Sequence, residues 1–141
     1  MAVNINPIFV IQGNILPARI SAANTASDGS GTLATVVTAA TNGTRVDGIR
    51  FINSQVTAAA SSAKVFRIFL SNASGANPRL IGELVGAAAT RSTTAIGSTS
   101  VWTPDQPILM KSGQIMYVTQ SVYAGTQDEV DACPYAADYN V

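Results

Sequence analysis

The sequence predicts an all-β fold: a single β-sandwich or jelly-roll-like domain of about seven or eight short antiparallel strands behind an extended N-terminal arm. Three observations predict it. Runs rich in Val, Ile, Thr and Phe recur between turn signals spaced about 8–12 residues apart, the spacing of sandwiches and barrels. No segment sustains an apolar repeat of about 3.6 residues, so no amphipathic helix is expected. Ala, Thr, Ser and Gly number 22, 14, 13 and 11, together 60 of 141 residues, which suits strands, turns and closely approaching surfaces.

Residues 1–17 read as the arm. They contain Pro7, Pro17 and one apolar run, Pro7 to Ile11, and proline disfavours helix for itself and its predecessor. Ile5, Ile8, Phe9, Val10 and Ile11 are the candidate partner-contact residues. The run is either a strand of the domain or an arm that inserts into a neighbour, where it can add a strand to a sheet edge. Residues 18–141 read as the single β domain. Ser21–Gly31 is a turn-rich loop through Asp28-Gly29 and Ser30-Gly31. Thr32–Ala39 is a β-branched strand, and Asn42-Gly43 signals a type I′ turn into the next strand, Thr44–Asn53. A small-residue loop around Ala58–Ser62 leads to Lys64–Ser71, the most apolar strand. There Val65, Arg67 and Phe69 share one face and Phe66, Ile68 and Leu70 the other, so a central strand covered on both sides, or one face at a subunit contact, is expected. Ser71–Pro78 is a turn and Arg79–Val85 a strand. Thr90–Ser100 is polar with no assigned structure. Pro107–Met110, Lys111-Ser112-Gly113 and Gln114–Tyr123 read as strand, turn and strand. The tail 124–141 is acidic and then Tyr-containing, broken by Pro134, and its order is open between the free protein and an assembly.

Composition excludes several chemistries. Eight basic and eight acidic side chains give zero net charge, so no strong field draws in nucleic acid or an anionic membrane. With no histidine there is no Ser-His-Asp triad and no imidazole metal ligand. Cys133 is the single cysteine, which leaves no intrachain disulfide and no thiolate zinc site. The N-terminus lacks a basic segment followed by a long apolar one, and no run approaches the ~18 apolar residues of a membrane span. A protein made in a cytoplasm without a standard export signal is the expectation, with no cofactor, no metal and no small-molecule substrate.

The remaining candidate chemistries are weak. Asp47 with Glu83 would serve a hydrolase only if both met in one cleft. The acidic cluster Gln127–Asp131 offers oxygens to Ca²⁺ but lacks the EF-hand spacing and glycine. Asp28-Gly-Ser-Gly-Thr is no phosphate loop. Cys133 has no basic neighbour in sequence to activate it. Trp102, Tyr117, Tyr123, Tyr135 and Tyr139 would line a sugar site only if grouped. Asn42-Gly-Thr44 and Asn72-Ala-Ser74 match glycosylation triplets and read as turn chemistry.

One stretch carries a resemblance. Gly31–Leu70 runs Gly-Thr-Leu-Ala-Thr-Val-Val-Thr-Ala-Ala-Thr-Asn-Gly-Thr-Arg-Val-Asp-Gly-Ile-Arg and on to Lys-Val-Phe-Arg-Ile-Phe-Leu. In its Thr-rich strand, Asn-Gly turn, strand, strand order it resembles small virion proteins of tailed bacteriophages, of the capsid decoration or cement type. That resemblance implies a non-enzymatic β-sandwich, often trimeric, seated on the capsid surface after synthesis in the host cytoplasm. The implied partners are the major capsid protein and further copies of the chain in a homotrimer. The alternative is a tail, baseplate or head-fibre component with a receptor- or glycan-binding role.

Overall fold

The structure, a computed structural model, describes residues 10–54 and 59–139. Among them are ten strands: β1 (Val10–Gly13), β2 (Ala18–Ile20), β3 (Ala34–Thr38), β4 (Thr44–Asn53), β5 (Lys64–Leu70), β6 (Arg79–Gly86), β7 (Thr99–Trp102), β8 (Ile108–Met110), β9 (Ile115–Gln120) and β10 (Val130–Tyr139). The one helical element described is a 3-10 turn, Thr126–Asp128. The strands form two antiparallel sheets. The first has the order β1-β10-β4-β7, with β2 also on β10 and β8 also on β4; the second is β3-β9-β5-β6.

The excess over the expected strand count has a simple geometry. β2 pairs with residues 130–132 of β10 and β1 with residues 137–139, so the two are successive halves of one edge. β8 and β7 likewise share one side of β4, at residues 44–46 and 49–52. Counted by position, the described residues supply eight strands. The first (β1 and β2) pairs with the eighth (β10), the second (β3) with the seventh (β9), the third (β4) with the sixth (β7 and β8), and the fourth (β5) with the fifth (β6). One long hairpin folded at β5–β6 and rolled up is a jelly roll, the double-sheet solution that leaves few long exposed edges.

The core lies between the sheets. Val46, Ile49 and Phe51 of β4 face Phe66 and Ile68 of β5 and Met116 and Val118 of β9, each 4% exposed or less. Phe51 and Phe66 stack with centroids 4.4 Å apart and planes 11° apart, an inter-sheet contact worth about 0.5–1.5 kcal/mol beyond the area buried.

Two expectations change. The tail is not broken at Pro134: residues 130–139 form a continuous strand bonded to β4 throughout. Pro134 falls between the stretches paired with β2 and with β1, a place in a sheet where a missing N–H costs least. The Asn42-Gly43 turn is not type I′. The Gly43 N–H donates to Ala40 O at 2.9 Å, which puts Thr41 and Asn42 at the centre, and only Gly43 takes a positive φ, 94°. It links β3 to β4, strands of different sheets, so the twist-matching that favours a primed hairpin turn does not apply. Within the arm, Val10 and Ile11 belong to β1, and Asn14 beyond it is fixed by its N–H to Ala136 O (2.9 Å) and its amide to Asp138 Oδ1 (3.0 Å). Ile5, Ile8 and Phe9 lie outside the described residues.

The second sheet carries a roof. The connection from β2 to β3 starts against β9, where the Asn24 N–H donates to Gln120 O at 2.8 Å. It reaches the entry to β6 on the far side, where a Cβ on Gly29 would lie 2.5 Å from Pro78 O. Given the order β3-β9-β5-β6, the loop therefore crosses the outward face of β5. The Asn24 amide holds it closed, donating to Ser30 O (2.8 Å) and Thr32 O (2.9 Å) and accepting from the Ala26 N–H (2.9 Å). The turn after β5 adds to the cover, tied down by Tyr117 OH donating to Gly75 O at 2.9 Å. Phe69, outside the main core cluster on this outward face, is fully buried.

Candidate functional site

The candidate acidic residues are engaged in structure. Asp47 is ion-paired with Arg45 at 2.8 Å on β4, and Glu83 with Arg67 at 2.7 Å between β6 and β5. They belong to different sheets, so the fold does not bring them into one cleft. Asp128 is fully buried. Its Oδ1 accepts from the Ser62 N–H (2.7 Å) and Lys64 Nζ (2.8 Å), and its Oδ2 from Ser62 Oγ (3.2 Å) and the Ala124 N–H (2.9 Å). Burial alone would push this carboxyl up. The hydrogen bonds from Lys64, Ser62 and Ala124 outweigh it and hold the carboxyl below the ordinary aspartate value. Lys64 is itself buried, with 2% of its side chain exposed. The pair ties the loop before β5 to the loop before β10. A lone lysine at the head of an apolar strand and one acid within a cluster give no sequence signal that they meet.

Glu129 and Asp131, the other acids of that cluster, pair with Arg19 at 3.6 and 3.1 Å. Among the described residues no group of three His, Cys, Asp or Glu side chains is placed to hold a metal ion. Cys133 is half-buried, and burial followed by the charge of Asp131 pushes its thiol up, away from the reactive thiolate.

The aromatics do not group. Trp102 is 9% exposed, its indole filling the space a side chain on Gly82 would take. Tyr117 is held on the second sheet by its bond to Gly75. Tyr135, opposite Gly48, stands out from the first sheet at 44% exposure. Tyr123 is half-buried beyond β9, and Tyr139 lies at the end of β10.

What the fold presents to solvent instead is aliphatic. At the β6–β7 side, Val85 and Val101 are exposed, and Ser100 Oγ donates to Val85 O at 3.3 Å across the two sheets. Ile96 stands free in the loop before β7. Ile15 and Leu16 project from the link between β1 and β2. At the end of the sandwich where β10 finishes, Leu109 borders an open groove of about 400 Å³ with Tyr139, Gly43 and Lys111. Val10, the first described arm residue, is opposite Tyr139 in the register. No protein-family model matches the chain, and no curated protein sequence matches it.

Proposed function

We propose that this chain is a non-enzymatic structural protein of a virion, a decoration protein that binds the outer capsid lattice and bridges neighbouring capsomers. The observation that carries the reading is the distribution of exposed aliphatics on a domain of zero net charge. Ile15, Leu16, Val85, Ile96 and Leu109 are each 62% or more exposed, and they lie at separate edges of the sandwich. A subunit that touches several neighbours at once needs several modest contacts, and many such contacts on a lattice give avidity without one strong site. The Gly31–Leu70 resemblance agrees: it covers β3, β4 and β5, the turn between β3 and β4, and the end of the roof loop. The arm residues Ile5, Ile8 and Phe9 supply a further contact to a neighbouring subunit. Stabilisation follows from differential affinity, since a protein that binds the mature lattice better than its precursor favours the mature state.

The reading as a receptor- or glycan-binding tail component is weaker, because the aromatics it would use lie on different faces and Trp102 is covered. Cryo-electron microscopy of purified particles tests the proposal. Density for this jelly roll is expected across the icosahedral shell; density confined to the tail or to a single vertex overturns it. Val85→Asp with Val101→Asp is expected to lower occupancy on the shell at least about tenfold while the circular dichroism spectrum is unchanged.

A further inference from the structure

The register of β1 fixes the rim at which that strand begins. Val10 pairs with Tyr139 and β1 runs antiparallel to β10, so β1 begins at the rim at which β10 finishes. On that rim lies the groove of about 400 Å³. Its floor is Gly43, whose carbonyl accepts the Tyr139 N–H at 3.1 Å. A residue without a side chain thus separates Tyr139 from the end of β8. Leu109, 66% exposed, and Tyr139 form the apolar walls, and Thr41, Asn42 and Lys111 the polar lip.

We propose that this groove receives the segment Ile5–Phe9 of a second copy of the chain, so that copies are joined by exchanged arms. Residues 1–9 contain no charged side chain; they offer Ile5, Ile8 and Phe9, with Asn4 and Asn6 between or beside them. That alternation suits apolar walls under a lip of amide and hydroxyl groups. Direction selects the second copy. At Val10 strand β1 is directed along β10, whereas the groove runs across the strands from Tyr139 to Leu109. To enter its own groove a chain would have to turn sharply out of the line of β1 at Val10; an arm arriving from a neighbour carries no such requirement. Nine extended residues span up to about 30 Å, enough to bridge from one rim to another. An arm given to one neighbour and another received from a different neighbour make a head-to-tail contact, the kind that closes into a ring such as a trimer. The inference rests on the self-association in the reading above and does not depend on a capsid.

Single-cysteine variants test it in a Cys133→Ser background. Phe9→Cys is mixed under mild oxidation with Leu109→Cys or, separately, with Ser112→Cys. Disulfide-linked pairs between the two different variants are expected at least about tenfold faster than between copies of either variant alone, because docking raises the local concentration. The chain lacking residues 2–9 is expected to keep its circular dichroism spectrum and fall to monomer mass in light scattering. Equal rates for all pairings, a link that forms only within a chain carrying both substitutions, or retention of the oligomer by the shortened chain each overturn the proposal. None of these readouts uses a capsid, so loss of capsid binding leaves them unchanged and is separately detected.

Discussion

On the outward face of the first sheet, Arg45, Arg50, Val101, Leu109 and Tyr135 stand in water. On the outward face of the second, Phe69 and Thr119 are as buried as the core. The two sheets have similar width and share one interior, so the difference comes from the roof held by Asn24 and from the turn over Tyr117. Alternation along a strand therefore reports what covers each face. β4, open on one side, buries Thr44, Val46, Ile49 and Phe51 and exposes Arg45, Asp47 and Arg50, with one slip where Asp47 is the extra residue of a bulge. β5, roofed, buries Phe66, Ile68 and Phe69 and keeps Arg67 largely covered beside Glu83.

Truncating one ring on each outward face gives the largest contrast. Phe69→Ala is expected to cost about 3–5 kcal/mol in chemical denaturation, and Tyr135→Ala within about 0.5 kcal/mol of zero. Equal costs would mean that the roof does not seal the second sheet.

Asp128→Asn should cost about 3 kcal/mol or more, since it strands the buried Lys64 ammonium. The same pair sets an acid dependence. The folded-state carboxyl lies below its ordinary value of 3.8, so its contribution is full above the unfolded-state pKa and is lost as pH falls through the folded-state one. Acid titration of stability should show a fall below about pH 4 that is shallower in Asp128→Asn. Identical curves would remove the pair from the account.

Asn24→Ala comes next, at about 1–3 kcal/mol for the carbonyls and N–H it leaves unpaired. It should also speed amide exchange in the roof and at β5 while β4 exchange is unchanged. Uniform acceleration in both sheets would show that the roof is not a separate unit. Gly29→Ala is expected to cost at least the ~1–2 kcal/mol of a side chain at φ 85°, with the close approach of Pro78 O adding to it, read as a shift in the denaturation midpoint.

The sandwich was legible because β3, β4, β5, β6 and β9 each carry enough β-branched or aromatic residues to announce themselves between Gly- and Asn-bearing turns. Three strands were not. β2 has three residues, and β7 emerges from a Ser/Thr-rich stretch whose pattern carries no period. β10 contains a proline and opens on acids, features that argue against a central strand. Only its partners make it one, because Pro134 falls where no neighbour needs its N–H. The place of the Asn42-Gly43 turn was readable, but its type depended on joining different sheets. Ser21–Gly31 read as a surface loop for its turn dipeptides; that Asn24 closes it over β5 depends on contacts with no local trace. The apolar character of residues 5–11 is read directly from the sequence, while the groove at the rim comes from Gly43 lying between two strands distant in sequence.

The rolled hairpin also sets an order in time. Its first and last strands are partners, so Arg19 meets Asp131 across 112 residues of chain. A nascent chain that stops short of Val130 has no partner for β1 or β2 and leaves one side of β4 open, with Ile20, Val46 and Phe51 lacking part of their cover. Long-range pairings of this kind make folding slow, on the order of milliseconds to seconds, and here they also postpone it. The first sheet can close only after its central strand has left the ribosome, so β1 and β2 wait for a partner made more than a hundred residues later.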